Sequence, residues 1–121
     1  MTERITEFTR SGLTFPFVDS GPIDGEIVVL LHGFPQTPTS WETTAAHLHA
    51  QGYRTVVPWQ RGYARTASPA RRWQYRSSEL AADVAALLER TGPAHLVGHD
   101  WGSSTAWLTA ATYPHLVRTL T

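Results

Sequence analysis

The chain contains no cysteine and a single methionine among its 121 residues. Without cysteine there can be no disulfide and no thiolate metal site, and this composition is typical of a reducing compartment, so we expect a cytoplasmic protein. Ten basic residues balance ten acidic ones. This balance provides neither a basic surface for nucleic acid nor an acidic tail for a charged partner, and we expect no nucleic-acid role.

Long apolar segments are also missing. The longest apolar run, Ile27–Leu31, is far too short to cross a bilayer, and the N-terminal residues Met1, Thr2, Glu3 and Arg4 lack the apolar core of a signal peptide. We therefore expect no membrane span. Five tryptophans and a hydrophobic content of 41% nevertheless predict a hydrophobic core, and the length limits the chain to one domain.

Short apolar segments alternate with turn signals and amphipathic stretches. The predicted strands cover residues 5–9, 13–19, 27–31, 53–57, 96–97 and 116–120. Ser11-Gly12 is the predicted hairpin turn between the first two strands. The run 27–31 has the continuous apolar character of a strand that is buried on both faces. Strands alternating with helices predict an α/β fold with a mostly parallel sheet and helices on both faces.

Three helices follow from the periodicity and the capping signals. Ser40 is the predicted N-cap of the first helix, and Ser77 or Ser78 that of the second. Residues 101–112 form the third predicted helix, whereas residues 60–75 are predicted to be a loop. The apolar positions at helical spacing are Trp41, Ala45 and Leu48 in the first helix and Leu80, Val84, Leu87 and Leu88 in the second.

One pentapeptide carries the strongest chemical signal, namely Gly98-His99-Asp100-Trp101-Gly102. It comes after a predicted strand and precedes a predicted helix, which is the context of a nucleophile elbow. In such an elbow the central residue has a positive φ and projects above the sheet, and flanking glycines avoid clashes. Taken alone, Asp100 is better explained as a helix N-cap, since Asp is among the best capping residues. The interpretation as a nucleophile is favoured because other motifs accompany it.

Three segments come directly after predicted strands and so fall at the same edge of the predicted sheet. They are His32-Gly33-Phe34-Pro35, Gln60-Arg61-Gly62-Tyr63 and the pentapeptide. In this order they resemble the α/β-hydrolase superfamily, and within it the epoxide hydrolases and haloalkane dehalogenases. The resemblance implies an α/β-hydrolase fold whose later core strands and cap are absent. Residues 1–121 are thus expected to be the N-terminal portion of a single catalytic domain.

The resemblance also implies roles for individual residues. Asp100 would be the nucleophile that forms an alkyl-enzyme ester with a small apolar substrate, either an epoxide or an alkyl halide. The backbone N–H groups of Phe34 and Trp101 would form the oxyanion hole. No cofactor and no metal are expected. Structural support of the site is expected from His32, Gly33, Pro35, Gly98 and Gly102.

The sequence departs from complete relatives on the C-terminal side of Asp100. Only one histidine, His115, comes later in the chain, and no Asp or Glu does. We therefore expect the chain alone to lack the catalytic acid and histidine, to be inactive, and to expose a sheet edge through which it could self-associate. The alternatives are a haloalkane dehalogenase and a non-catalytic scaffold or fragment of the same fold.

Several other polar residues have a structural interpretation. We expect the rings of His47 and His49 to lie in solvent, and we expect His99 to be structural. Arg61 is expected to pair locally or to brace its loop. The remaining arginines of this region are predicted to form a solvated surface; they are Arg65, Arg71, Arg72 and Arg76. Trp59 stands where family members usually carry Asp.

Overall fold

The computed structural model describes residues 3–121, which form one six-stranded sheet and three α-helices. The strands are β1 (Glu7–Arg10), β2 (Leu13–Ser20), β3 (Ile27–Leu31), β4 (Arg54–Pro58), β5 (Ala94–Gly98) and β6 (Val117–Leu120). The helices are α1 (Glu42–Ala50), α2 (Ser77–Thr91) and α3 (Trp101–Thr112). The strand order across the sheet is β1-β2-β4-β3-β5-β6.

The sheet is mostly parallel, as the sequence predicts. β3 pairs in parallel with β4 and β5, and β5 pairs in parallel with β6. Among the described strands there are two antiparallel pairs: β1 with β2, and β2 with β4. The carboxyl ends of β3, β4 and β5 therefore meet at one edge of the sheet.

The first two strands form the predicted hairpin. Arg10 is opposite Leu13, and the two residues between them, Ser11 and Gly12, both have positive φ, at 51° and 78°. This is the mirror-image turn whose twist matches that of paired strands. β1 begins at Glu7 rather than at the predicted Ile5.

Helices cover both faces of the sheet. Successive side chains of β3 point to opposite faces, so each face of this strand packs against different helices. Val29 and Leu31 pack into a large core with residues of α2 and with Ala106 of α3. Val28 and Leu30 pack into a smaller core with Ala45 of α1. The prediction of a strand buried on both faces is thus confirmed.

Both predicted helix caps are wrong. Ser40 lies inside a short 3₁₀ turn, Pro38–Trp41, whose capping residue is Thr37, and α1 begins only after this turn. Thr37 is not distinguishable from Ser40 by residue type, since both are good caps. The second helix begins at Ser77 itself, because the extended backbone of Arg76 (φ −66°, ψ 153°) already marks its boundary.

Smaller differences concern irregular segments. The predicted loop at residues 60–75 contains two short 3₁₀ turns, Arg65–Ala67 and Arg72–Tyr75. The last strand begins at Val117, because Leu116 belongs to a 3₁₀ turn, Pro114–Leu116, that comes after α3. Leu80 is only half-buried, although helical spacing predicts it on the core face of its helix.

A buried ion pair fixes the hairpin to the centre of the sheet. Arg54 on β4 is 1% exposed, and its Nε donates to Asp19 Oδ1 on β2 at 2.8 Å. Arg54 also donates to the carbonyl of Ile23 at 2.9 Å. Burial alone would raise the pKa of Asp19, but hydrogen bonds from Arg54, Ile5 and Arg4 outweigh it and hold that pKa below its usual value of 3.8.

Candidate active site

Asp100 occupies a sharp turn between the end of β5 and the start of α3. Its φ is 59° and its ψ is −126°, a conformation that non-glycine residues rarely adopt. The Asp100 side chain does not cap α3. The structure therefore does not support the interpretation of Asp100 as a simple helix cap.

Glycines allow this turn to pack tightly. A Cβ on Gly98 would lie 2.4 Å from the carbonyl oxygen of Gly102, and a Cβ on Gly102 would lie 2.3 Å from the carbonyl oxygen of Leu31. Neither position has room for a side chain, because the first turn of α3 lies directly against the ends of β3 and β5. The two glycines are therefore required where the pentapeptide places them.

Two backbone amides hold the Asp100 carboxylate. The N–H of Phe34, in the loop after β3, donates to Asp100 Oδ2 at 3.0 Å. Hydrogen bonds from the backbone N–H groups of Phe34 and, second, Trp101 lower the pKa of Asp100 below its usual value of 3.8. Asp100 is therefore ionised at neutral pH, and its charge faces two main-chain donors. Of the two amides named from the sequence, that of Phe34 makes a hydrogen bond to the carboxylate, and that of Trp101 contributes to the lowering of its pKa.

His32 is a structural part of the loop after β3. Its ring is fully buried, and its Nε2 accepts the backbone N–H of Gln60 at 3.1 Å. Since Nε2 is an acceptor, the proton lies on Nδ1, which donates to the Gly33 carbonyl at 3.0 Å. Burial lowers the pKa of His32 below 6.5, so the ring is neutral at pH 7. The ring thus makes hydrogen bonds to the backbone of this loop at both nitrogens.

Two glutamines that the sequence analysis did not single out also hold this loop. Gln60 is 8% exposed, and its side-chain amide donates to the carbonyl oxygen of His32. The side-chain oxygen of Gln36 accepts the N–H of Gly33 at 3.1 Å. The Phe34–Pro35 peptide in the same loop is cis. A glutamine in a predicted loop has no sequence signal that separates a buried hydrogen-bonding role from a solvated one.

An aromatic surface lies beside Asp100. Phe34 and Trp101 are each 65% exposed, so neither side chain belongs to the hydrophobic core. Burial and, second, the negative charge of Asp100 raise the pKa of the Tyr63 hydroxyl. A groove of about 420 Å³ opens here, and its mainly apolar wall includes Phe34, Tyr63, Tyr75, Leu80 and Trp101.

Arg61 braces the loop after β4, as predicted. Its Nε and Nη2 donate to the two carboxylate oxygens of Asp83 on α2 at 2.9 and 2.8 Å, and its Nη1 donates to the Gln74 carbonyl at 2.7 Å. Burial raises the pKa of Asp83 despite the opposing effects of Arg61 and Arg10. This pair fixes the segment that carries Gln60 and Tyr63 to α2.

Among the hydrogen bonds of residues 3–121, no histidine side chain contacts the Asp100 carboxylate. The prediction that His49 lies in solvent is wrong: its Nε2 lies 2.8 Å from the Thr55 hydroxyl and 3.3 Å from that of Ser20, because α1 packs this residue against β2 and β4. His47 and His115 are exposed, as is His99, whose backbone N–H donates to the Leu31 carbonyl. The prediction of a solvated arginine surface is confirmed, since all four residues are exposed, namely Arg65, Arg71, Arg72 and Arg76.

Within residues 3–121 no group of three or more His, Cys, Asp or Glu side chains could hold a metal ion. Over the same residues, no helix combines the length and the apolar character that crossing a membrane requires.

Comparison with known proteins agrees with this fold. A sequence model of the alpha/beta hydrolase fold matches residues 26–121, so the chain belongs to the α/β-hydrolase family. Epoxide hydrolase 4 of Homo sapiens is 38% identical over 112 residues, which cover 91% of this chain and 31% of that protein. Epoxide hydrolase B of Mycobacterium tuberculosis is 44% identical over 92 residues, which cover 74% of this chain and 26% of that protein.

A solved structure shows the same likeness. The crystal structure of epoxide hydrolase A from Mycobacterium thermoresistibile superposes with a TM-score of 0.87 at 34% identity, over 94% of this chain and 36% of that one. The chain thus spans about a third of the length of the curated relatives it matches.

Proposed function

We propose that this chain is the N-terminal part of a single catalytic domain that hydrolyses small apolar epoxides through an ester on Asp100. One observation carries the proposal: an ionised aspartate at a strained positive φ receives a hydrogen bond from the Phe34 amide at 3.0 Å. The names of the similar proteins support epoxides as the substrate class.

In the first step the carboxylate acts as the nucleophile. Asp100 Oδ1 attacks one epoxide carbon and the carbon–oxygen bond of the ring breaks. The epoxide oxygen takes up a proton from a water molecule, which is left as hydroxide. The product is an alkyl ester of Asp100. Phe34 N–H keeps Oδ2 in place during this attack, so the other oxygen is presented to the substrate.

In the second step water attacks the carbonyl carbon of that ester. The negative charge that develops on Oδ2 is then stabilised by the two backbone amides that already contact the carboxylate, those of Phe34 and Trp101. A preformed donor of this kind contributes about 3 kcal/mol to lowering the barrier. The diol leaves, and Asp100 retains one oxygen from water.

The second step also needs a base, which this chain does not supply. His32 is buried and donates its Nδ1 proton to the backbone, and His115 lies beyond the end of α3. No acidic residue comes after Asp100 to orient a later histidine. We therefore infer that residues 1–121 alone do not complete a turnover.

An epoxide is favoured over an alkyl halide by the side chain at position 34. Halide departure calls for a polar donor near the leaving group, whereas Phe34 presents an apolar ring that is 65% exposed beside Asp100. A non-catalytic scaffold would not need an ionised carboxylate held by two amides at a strained backbone position.

We also retain two inferences about the environment of the chain. β6 pairs only with β5 among the described strands, and its free edge could pair with a second copy of the chain. Sedimentation of the 121-residue chain at increasing concentration tests this, and a strictly monomeric species would contradict it.

The absence of cysteine remains the reason to expect a cytoplasmic location.

Mass spectrometry after rapid quenching tests the reaction. The full gene product is mixed with styrene oxide and quenched with acid within the first turnover, and peptides containing Asp100 are analysed. We expect an adduct with the mass of the intact epoxide on Asp100, and none in Asp100→Asn. An active enzyme that never carries this adduct would exclude the ester route, and an inactive enzyme with no adduct would favour the scaffold.

A further inference from the structure

We propose that Gln60 is a positioning residue: its side-chain amide fixes the peptide unit that aims the Phe34 N–H at Asp100. This inference rests on the proposed function, because the orientation of that amide matters to a reaction only if Asp100 forms the ester. Gln60 touches neither the carboxylate nor the Phe34 amide in any hydrogen bond between the described residues, so it would act through His32.

Gln60 is bound to His32 at two points. Its backbone N–H donates to the ring Nε2 at 3.1 Å, and its side-chain amide donates to the carbonyl oxygen of the same residue. Any residue at position 60 other than proline could make the first bond. Only a side chain of this length that ends in a donor can make the second, which is the reason to assign the role to glutamine rather than to the backbone.

The His32 carbonyl belongs to the peptide unit that links His32 to Gly33, and both polar atoms of this unit are held by side-chain amides. Gln60 donates to its oxygen, while the oxygen of Gln36 accepts its N–H at 3.1 Å. A rotation of this peptide plane would break both hydrogen bonds at once. The two glutamines, from different segments, therefore act as a clamp on one peptide unit.

The next peptide unit in the chain carries the catalytically relevant amide. Its carbonyl, that of Gly33, accepts hydrogen bonds from the His32 ring at 3.0 Å and from the Gln36 N–H at 2.9 Å. Its N–H is that of Phe34, which donates to Asp100 at 3.0 Å. The two peptide planes share the Gly33 α-carbon. The clamp fixes the first plane, and the two hydrogen bonds to the Gly33 carbonyl then orient the second.

The clamped carbonyl also lies where the nucleophile helix begins. A Cβ on Gly102 would come within 2.6 Å of the His32 oxygen, so the first turn of α3 packs directly beside it. Without the Gln60 amide, the buried His32 oxygen would lose its side-chain donor, and the loop could relax away from α3. The distance between Phe34 N–H and Asp100 would then be less strictly fixed.

Nuclear magnetic resonance on the full gene product tests the positioning role without any substrate. Selective 15N labelling of phenylalanine gives the Phe34 amide signal, which should shift as Asp100 titrates because the N–H binds its carboxylate. We expect Gln60→Met to reduce this shift by about twofold or more and to move the midpoint upward. Methionine is chosen because it keeps the length of the side chain and removes the donor.

Two further variants make this measurement specific. Gln74→Met removes a hydrogen bond that the Gln74 side-chain oxygen accepts from the Arg71 N–H at 3.0 Å, the same kind of bond that Gln36 makes to Gly33, and should titrate like the wild type. Gln36→Met removes the other half of the clamp at a half-buried position and should act in the same direction as Gln60→Met. An unchanged Phe34 titration in folded Gln60→Met, or in folded Gln36→Met where Gln60→Met does not fold, would overturn the proposal.

Single-turnover kinetics with styrene oxide separate this inference from the proposed function. If the positioning role and the proposed function both hold, Gln60→Met slows hydrolysis of the ester by about tenfold or more and affects its formation less. The ester then accumulates, so kcat and KM fall together. A weakened Phe34 titration in a protein that never forms an ester would support the positioning role and contradict the proposed function. Normal titration and normal ester hydrolysis in Gln60→Met would contradict the positioning role alone.

Discussion

A Cβ built on Gly33 would lie 2.4 Å from the Cβ of Asp100. The loop after β3 thus approaches the backbone of the proposed nucleophile so closely that position 33 has no room for any side chain. We expect Gly33→Ala to displace Asp100 and to lower the rate of ester formation by about 100-fold, since small misplacements of a nucleophile have effects of this size. Single-turnover mass spectrometry measures this rate.

Gly12→Ala is the matched control for that substitution. Gly12 has φ +78°, and no neighbouring atom lies within 4 Å of the position that a Cβ would take. Alanine there should therefore cost about 1–2 kcal/mol through backbone strain alone, and ester formation should remain normal. Equal losses of ester formation in the two variants would show that general destabilisation, and not displacement of Asp100, is the cause.

The Arg61–Asp83 pair yields a prediction about stability. Arg61→Met leaves the Asp83 carboxylate buried with a single remaining arginine, Arg10, at 2.9 Å, and should lower the free energy of unfolding by about 3 kcal/mol. The ion pair between the exposed Arg76 and the half-buried Glu79, at 3.7 Å, is the control, and Arg76→Met should change stability by less than about 1 kcal/mol. Urea unfolding measures both, and similar values for the two variants would refute the prediction.

His32 should make stability depend on pH. Burial lowers its pKa below 6.5 in the folded protein, so the unfolded chain binds a proton first as the pH falls. Stability should therefore decrease as the pH drops through 6.5 towards the folded pKa, and it should be fully present above that range. Urea unfolding at about pH 7.5 and about pH 5.5 should show a smaller decrease in His32→Gln, and an identical decrease would count against a neutral buried His32.

Ester formation should persist in mild acid. Hydrogen bonds from the backbone amides of Phe34 and Trp101 lower the pKa of Asp100 below 3.8, so the nucleophile loses its charge only when the pH falls below that value. The single-turnover rate of ester formation should be independent of pH down to about pH 4. A midpoint clearly above that pH would mean that Asp100 is not held as a stabilised carboxylate.

The sequence was sufficient to predict the parallel sheet and its two covered faces. The continuous apolar run of β3 is typical of a strand that is buried on both faces, and Ser11-Gly12 is a local signal for a hairpin. The positive φ of Asp100 could also be expected, because the glycines at positions 98 and 102 indicate crowding that only a sharp turn creates.

The errors concern one local turn and several contacts between distant segments. Ser40 and Thr37 are equivalent caps by residue type, and the 3₁₀ turn after Pro38 decides between them. The position of His49 on a short helix predicts a solvated ring. In the structure, however, the ring lies within hydrogen-bond distance of the Ser20 and Thr55 hydroxyls, which come from the sheet. The sequence places Gln60 at the same sheet edge as His32, but it does not indicate the hydrogen bond between these two residues, which are 28 positions apart.

If Asp100 carries the substrate as an ester, water attacks the carbonyl carbon of the Asp100 side chain and leaves one of its oxygens there. The decisive measurement is the mass of the peptide that contains Asp100, after the full gene product has completed several turnovers on an epoxide in water enriched in 18O. We expect 18O to accumulate in the Asp100 carboxylate. An enzyme that turns over its substrate while Asp100 gains no 18O would contradict the ester route.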